Sequence, residues 1–438
     1  MSNPNVSNGG RSQTYAVAAM TGKQFSVLLP TRDRLELAKD AIQTVRWQSY
    51  SDWELIVADN CSSSDVREYV ESLSDPRIVY IRSDKPVSVT ENWNRALNAS
   101  SGDYVIVLGD DDGLVPDYFY RLLTVIDKLD NPDLIYHGAY HFAFPGVLPS
   151  MLAGSLTDVT SFYDFLRAPE KVKLLACDEA RALAKAALDM RARFGFNMQH
   201  FLFSRRFLDR VGRIGSFFQG PFPDFYAANI SMLTAERIGL LAEPMVIIGI
   251  SPKSYGHYHF NNQEKEGISF LNASSDCQTN GALKLQLLPG TNMNSSWLLS
   301  VALIAKNLGV RDDLQPNVTR YRRLQIKYNL TRAPLGKAAE ANLRKLWTSL
   351  NWKEKFFALA LKTFLYSSYV IPRRFRVRWV NLTDTFDRQY PRLLNGLSKP
   401  VIGRYRTVTD VYEDLKGKGL LTARVAPVRD AQVRLNCA

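Results

Sequence analysis

Cysteine is scarce. There are four in 438 residues, Cys61, Cys177, Cys277 and Cys437, with no Cys-x-x-Cys pair among them. That scatter suggests neither a disulfide framework nor a zinc knuckle. Long apolar runs are also missing, since none approaches the roughly 20 residues that span a bilayer. The first 23 residues are rich in Ser, Asn and Gly and read as a disordered leader. They lack the charged region and long apolar core of a secretory signal. Internal repeats are absent. These absences point to the cytoplasm, including the inner face of the cell membrane. Most of the chain also lacks an excess of charge of either sign. The formal net charge is +12, and residues 321–380 alone hold 14 Lys/Arg against 2 Asp/Glu, which is again +12. Everything outside that window sums to zero, so the basic character belongs to one C-terminal segment.

What remains is ordinary for a folded protein, with 46% hydrophobic and 22% charged residues. The length allows two or three domains. From Phe25 the pattern alternates. Apolar runs at Phe25–Leu29, Glu54–Ala58, Ile78–Ile81, Asp103–Leu108 and Asp133–Tyr136 predict strands. Apolar spacings of three and four over Leu35–Trp47, Asp65–Leu73, Val89–Ala99 and Asp117–Leu129 predict helices. Single helices between strands predict an α/β domain with a mainly parallel sheet flanked by helices. Ligands of such sheets bind beyond the carboxyl ends of the strands. Pro30–Asp33, Asp59–Asp65 and Gly109–Gly113 all fall there. After about residue 145 the pattern changes, with a loop, a helix at Asp178–Arg193 capped by Asp178, a strand at Gln199–Ser204 and another within Leu240–Ile250. Beyond about residue 260 the chain is mostly helical.

The sharpest chemical signal is Gly109-Asp110-Asp111-Asp112-Gly113, directly after a buried strand. Adjacent carboxylates repel unless a cation intervenes, and clustered hard oxygens suit Mg²⁺ or Mn²⁺. Such an ion could bridge a diphosphate. The plain alternative is an acidic turn capping the next helix. At the second edge, Asp59 could accept from a base or ribose, while Ser62–Asp65 cap the following helix. At the first, Pro30-Thr31-Arg32-Asp33 offers a hydroxyl and backbone N–H groups, or a helix start capped by Thr31 or Asp33.

The series FSVLLPTRDR, VADNCSSSD and ENWNRALNASSGDYVIVLGDDDGLVPDYF resembles the nucleotide-binding half of the inverting glycosyltransferases of family 2, which have the GT-A fold. The resemblance covers about Phe25–Leu123 and continues more loosely to about His259. It implies a GT-A-like catalytic domain over residues 24–260, with an insertion near 145–198, and a mostly helical region over 261–438 that contacts acceptor, membrane or a second subunit. It also implies transfer of one sugar from a nucleotide-sugar donor to a glycan hydroxyl, in bacterial cell-surface polysaccharide assembly of the O-antigen or capsule type. The acceptors of such enzymes are commonly lipid-linked. On this resemblance Asp59 and Thr31 contact the nucleotide, Asp110 or Asp111 holds the ribose, and Asp112 and Asp110 hold the metal. Pro30, Arg32 and Asn94 fall at the same donor site. The sequence departs from the family at Asn92-Trp93-Asn94, where Ala-Arg-Asn is usual, so that Arg82, Lys85 or Arg95 would have to substitute. It departs again at Gly109, where the first acidic residue is usual.

An inverting transfer needs a carboxylate base on the far side of the sugar. After Phe203-Ser204-Arg205-Arg206, Asp224 in Gly220-Pro221-Phe222-Pro223-Asp224 fits that place. It suits an N-cap as well. Of Tyr255-Gly256-His257-Tyr258-His259, His257 is the candidate for a returning metal or phosphate ligand, while His137 and His141 read as structural. Gln43-Thr44-Val45-Arg46-Trp47 spells the signature of processive relatives, but in the first helix, where it reads as chance. Phe356–Ile371 is too short to span a membrane and leads into the arginines of Pro372–Trp379. A segment lying on anionic lipid and a helix packed on the domain both suit it, and no nucleic-acid role is expected. Two other functions fit the site residues, a nucleotidyltransferase of related fold and a non-catalytic sugar-nucleotide scaffold. Against the first, Pro30–Asp33 has no glycine.

Overall fold

The computed structural model describes residues 23–63, 65–148, 152–160, 163–167, 170–252, 254, 281–289, 293–309, 314–332, 340–370 and 400–418. Its elements in chain order are β1 (Phe25–Thr31), α1 (Leu35–Arg46), β2 (Trp53–Asp59), α2 (Val66–Ser72), β3 (Ile78–Arg82), α3 (Val89–Asn98), β4 (Tyr104–Val107), β5 (Gly113–Leu114), α4 (Tyr118–Lys128) and β6 (Leu134–Ala143). Then come β7 (Ser155–Asp158), β8 (Val172–Leu175), α5 (Cys177–Leu188), β9 (Phe201–Ser204), α6 (Arg205–Gly212), α7 (Pro223–Thr234) and β10 (Ile238–Ile250). The last are α8 (Gly281–Lys284), α9 (Met293–Asn307), α10 (Val318–Arg332), α11 (Glu340–Ser349), α12 (Trp352–Val370), β11 (Val401–Ile402) and α13 (Val408–Gly417).

One large sheet runs β11-β7-β6-β9-β4-β1-β2-β3, with β10 beside β6 and carrying β5 and β8. The strands are parallel through β3-β2-β1-β4 and again between β6 and β10. Return strands such as β9 enter antiparallel. Side chains alternate between the faces, so each strand feeds two cores. Leu28, Ile56, Val105 and Val107 point into one, with Phe225 and Tyr226 of α7 and Trp297 and Val301 of α9. Val27, Leu29, Leu55, Val57 and Ile106 point into the other, with Ile42 of α1 and Leu122 of α4. Being covered on both faces is why these strands read as unbroken apolar runs rather than alternating ones.

The C-terminal region does not form a separate body throughout. Helix α9 is built into the first core, where the Trp297 ring stacks on Phe225 with centroids 5.0 Å apart and meets Phe196 edge-on at 5.2 Å. Helix α13 lies in the second core through Val408, Val411 and Leu415. The Tyr412 hydroxyl donates to the Trp47 carbonyl at 3.0 Å, and Thr407 with Asp410 forms a capping box at the helix start. Strand β11 adds to the sheet edge at β7. Helices α10, α11 and α12 share a small core of their own at Leu288, Ile326, Leu346, Leu350 and Ala358. The expected insertion is likewise woven in, because β7 and β8 extend the sheet and α5 packs on α7.

Three local expectations are corrected. Helix α5 begins at Cys177 with Ala176 at the cap, so Asp178 lies in the first turn, where its charge still favours the helix dipole. Neither Thr31 nor Asp33 caps α1, whose cap position is Arg34, and no serine side chain caps α2. Cys177 is disulfide-bonded, which the scattered spacing did not suggest, and Cys61 is free. Among the described residues no helix is long and apolar enough to cross a membrane. The leader, the Tyr255–His259 stretch with His257, and Pro372–Trp379 lie outside the described residues.

If α9 is part of the first core, Trp297→Ala lowers the stability of the whole sheet domain by about 3–5 kcal/mol. Denaturant unfolding followed by far-UV circular dichroism should show the main transition moving. Movement confined to a separate minor transition would contradict this packing.

Candidate active site

The carboxyl ends of β1, β2 and β4 lie side by side, and their loops are tied together. Asp33 and Cys61 both take left-handed backbone conformations, φ 54° and 56°, which are uncommon for residues other than glycine. Reciprocal bonds hold them there. The Asp33 N–H donates to Ser62 Oγ at 2.9 Å, and Ser63 donates through both its N–H and hydroxyl to Asp33 Oδ1 at 2.7 Å. Ser62 therefore joins two loops instead of capping a helix. Asp59 is wholly buried. Its Oδ1 accepts from the Ser62 N–H, and its Oδ2 from the Tyr80 hydroxyl and the Arg82 guanidinium, each at 2.7 Å. Arg82 continues to the Ser62 carbonyl at 2.9 Å. Asp59 thus holds the one arginine of the β3 edge in place.

The acidic turn has its own counter-charge. Arg34, the cap residue of α1, grips Asp110 with Nη2 2.5 Å from Oδ1 and Nε 3.0 Å from Oδ2. Its Nη1 lies 3.4 Å from Ser251 Oγ and 3.7 Å from Asp111 Oδ2. The Thr31 hydroxyl donates to Asp110 Oδ2 at 2.8 Å, and Ser251 Oγ donates to Asp111 Oδ2 at 2.6 Å. Asp112 turns inward. Its Oδ2 accepts from the Gly109 N–H at 2.7 Å and Gln199 Nε2 at 2.6 Å, and its Oδ1 from the Gly249 N–H at 2.8 Å. Glycine is required at both N–H donors by close approach. A Cβ on Gly109 would stand 2.5 Å from Asp112 Oδ2, and one on Gly249 2.0 Å from the Asp111 carbonyl oxygen.

Three nearly buried carboxylates share one arginine, and their protonation shows it. Burial, opposed by Arg34, pushes Asp110 up to about 6, and burial with the neighbouring Asp111 raises Asp112 well above the carboxylate range. Burial alone would lower Arg34, yet Asp110, Asp111 and Asp112 outweigh it and keep the guanidinium charged. Among the described residues no three His, Cys, Asp or Glu side chains are grouped to hold a metal ion. The donor chemistry still suits a hard cation that keeps phosphate and water ligands. Asp111 is the member to offer an oxygen, because Asp112 has both of its oxygens committed and Asp110 faces Arg34 and Thr31. Asp112, expected as a metal ligand, has its oxygens on Gly109, Gln199 and Gly249 instead.

Asp224 is not a cap. The cap residue of α7 is Phe222, Pro223 opens the helix, and Asp224 sits in its first turn. Its Oδ1 accepts from the Met198 N–H at 3.1 Å. The next residue, Gln199, is the one that donates to Asp112. Adjacent Cα atoms lie 3.8 Å apart across a trans peptide, so the single turn Met198–His200 clamps Asp224 with one residue and the acidic loop with the next. Although partly open to solvent, Asp224 is pushed up to about 7 by burial of its carboxyl, against the lowering effect of the Met198 N–H.

Asn94, expected at the donor site, is spent elsewhere. Its Nδ2 donates to the Phe218 carbonyl at 2.8 Å and its Oδ1 accepts from the Phe218 N–H at 3.2 Å, which docks the loop before α7 onto α3. Pro30 ends β1 beside Thr31, and the Arg32 side chain is exposed at the same edge, 3.7 Å from Asp33. His137 is buried, as expected, with its ring bonded to Tyr118 and the Gly138 carbonyl. Arg34, Gln199 and Ser251 were not singled out from sequence. Arg34 shares the loop after β1 with Arg32, and nothing local in the sequence pairs it with the acidic turn.

Fold and edge together define a doubly wound α/β protein whose ligand site lies beyond the strand ends. Residues 26–156 match the family model described as Glycosyl transferase family 2. Its relatives include a putative colanic acid biosynthesis glycosyl transferase of Escherichia coli K12, 35% identical over 26% of this chain and 42% of the relative. Another is the GalNAc(5)-diNAcBac-PP-undecaprenol beta-1,3-glucosyltransferase of Campylobacter jejuni, 36% identical over 21% of this chain and 31% of the relative. The chain thus spans less than half the length of either. Among solved structures, a mannosyltransferase from Pyrobaculum calidifontis in complex with GDP-Man and Mn²⁺ is similar over 92% of this chain and 89% of its own, with 14% identity and a TM-score of 0.42.

The raised Asp224 gives a signed prediction. An unfolded chain ionises this carboxyl near its ordinary value of 3.8, whereas the folded protein holds the proton to about 7. Between those values the native state binds more protons, so this group's contribution to stability falls as pH rises and levels off above 7. Asp224→Asn removes that fall. The difference in unfolding free energy between variant and wild type should grow in the variant's favour from pH 4 to 7, and a flat difference would contradict the assignment.

Proposed function

We propose that this protein transfers a single sugar from a nucleotide-sugar donor to a glycan hydroxyl with inversion, in bacterial polysaccharide assembly. The observation that carries the proposal is the Met198–Gln199 clamp, which places a carboxyl titrating near neutrality beside the acidic turn of a glycosyltransferase family 2 domain. Asp224 is the base. Near pH 7 its carboxylate form takes the proton of the acceptor hydroxyl as that oxygen attacks the anomeric carbon, and its basicity is matched to the working pH. The nucleotide lies over the β1 and β2 edges. Thr31, Pro30 and Arg32 line the first, and Asp59 fixes Arg82 at the second, where the guanidinium can meet base, ribose or phosphate. Asp111, with Asp110 beside it, would hold Mn²⁺ or Mg²⁺ together with the donor's phosphate oxygens, and such an ion offsets charge on the departing nucleotide. Relatives named for undecaprenol-linked glycans favour a lipid-linked acceptor.

Thermal unfolding with UDP, GDP, dTDP and CMP, each with and without Mn²⁺, tests the donor half. One nucleotide at a hundred times its Kd should add about 2.7 kcal/mol of stability. Asp111→Asn should remove the metal-dependent part. For the transfer half, Asp224→Asn should keep the nucleotide stabilisation while turnover of the matching nucleotide sugar falls by about 10²–10⁴. Stabilisation without turnover in the wild type, with any glycan acceptor tried, would favour the scaffold reading. No stabilisation by any nucleotide would overturn the proposal.

A further inference from the structure

The chain's whole excess of positive charge lies in residues 321–380, and the described part of that window carries an exposed apolar stripe. On α12, Trp352 is 74%, Phe356 73% and Leu359 51% exposed. These positions follow the four- and three-residue spacing of one helix face. At about 100° per residue, the stripe's edges are Lys353 on one side and Lys355 and Lys362 on the other. The lysines therefore flank the apolar centre instead of interrupting it. The opposite face is already committed. Ala358 is buried in the small helical core, with Phe357 packed against it. Glu354 is gripped by Arg322 of α10, with Nε 2.6 Å and Nη2 2.9 Å from its two carboxylate oxygens. That bidentate pair, only 12% and 15% exposed, fixes the helix's rotation so that the stripe cannot turn inward. Large apolar side chains presented to solvent in a row, rimmed by charge, mark an interaction surface.

We infer that this face of α12 lies on anionic lipid, with Trp352, Phe356 and Leu359 entering the headgroup boundary and Lys353, Lys355 and Lys362 meeting lipid phosphates. The charge is of the complementary sign and confined to this region, and the helix is too polar to cross. A second copy of the chain would bring the same lysines against themselves, and a nucleic acid would leave the apolar stripe wet. The inference stands apart from the catalytic reading, because its test uses no donor or acceptor. It would set the active site at the membrane face, where a lipid-linked acceptor is presented.

The test uses the full-length protein with vesicles of neutral phosphatidylcholine, alone or with 30% phosphatidylglycerol, read by co-sedimentation and tryptophan emission. Anionic vesicles should bind at least tenfold more strongly and shift the emission to the blue. Neutralising each lysine should weaken binding by about fivefold at low salt. The variant Trp352→Glu/Phe356→Glu/Leu359→Glu changes exposed side chains, so its unfolding midpoint should match wild type while vesicle binding and the blue shift disappear. Absence of binding to anionic vesicles, binding undiminished in the triple variant, dimerisation that the triple variant abolishes, or binding to RNA in preference to vesicles would each overturn the inference.

Discussion

Asp110, Asp111 and Asp112 are consecutive, almost wholly out of water, and share a single guanidinium. Removing one partner from a buried ion pair typically costs about 3–5 kcal/mol, because a charge is left uncompensated. Here three carboxylates depend on Arg34. The surrounding edge is arranged around that constraint. Thr31 and Ser251 donate to the first two acids, while Gly109, Gly249 and Gln199 absorb the third into the fold. Even so the turn is short of positive charge, and Asp110 and Asp112 respond by holding protons more tightly than free carboxylates. An acidic turn left electron-rich at a strand edge is suited to a ligand that brings cations with it.

The same turn is tied to α7 through Met198 and Gln199, and α7 is held in turn by aromatic packing. Asp224 lies in the first turn of α7, and the next residue, Phe225, stacks on Trp297 of α9. Asn94 pins the loop that leads into α7. The position of Asp224 is thus set by α3, α9 and the Met198–His200 turn together. Helix α9 comes from well beyond the family 2 segment, so the chain's C-terminal region is part of what holds the site in shape.

How much of this could be read from residue order differs by kind of interaction. The alternating strands and helices as far as α4 were legible, because double-sided burial leaves unbroken apolar runs and the helices between them keep apolar spacings of three and four. Residues directly after the strands were legible as an edge, since topology alone gathers them. Partnership across the sequence was not legible. Nothing local says that Arg34 faces Asp110, that Asn94 answers Phe218 over more than a hundred residues, or that Gln199 reaches Asp112. The inward turn of Asp112 was also hidden, because it depends on the close approach of Gly249 on β10. Helix α13 was hidden for another reason. Its apolar face is ordinary, and only the return of the chain to α1 shows which core it completes.

The most direct measurement is the pH dependence of kcat/KM for transfer from the nucleotide sugar that stabilises the protein. If Asp224 is the base, the rate rises with pH through an ionisation near 7, where burial has placed that carboxyl. Asp224→Asn should lose that limb while donor binding persists. A rate that rises with the same midpoint in Asp224→Asn, or that is already level from pH 5 upward in the wild type, would contradict the account.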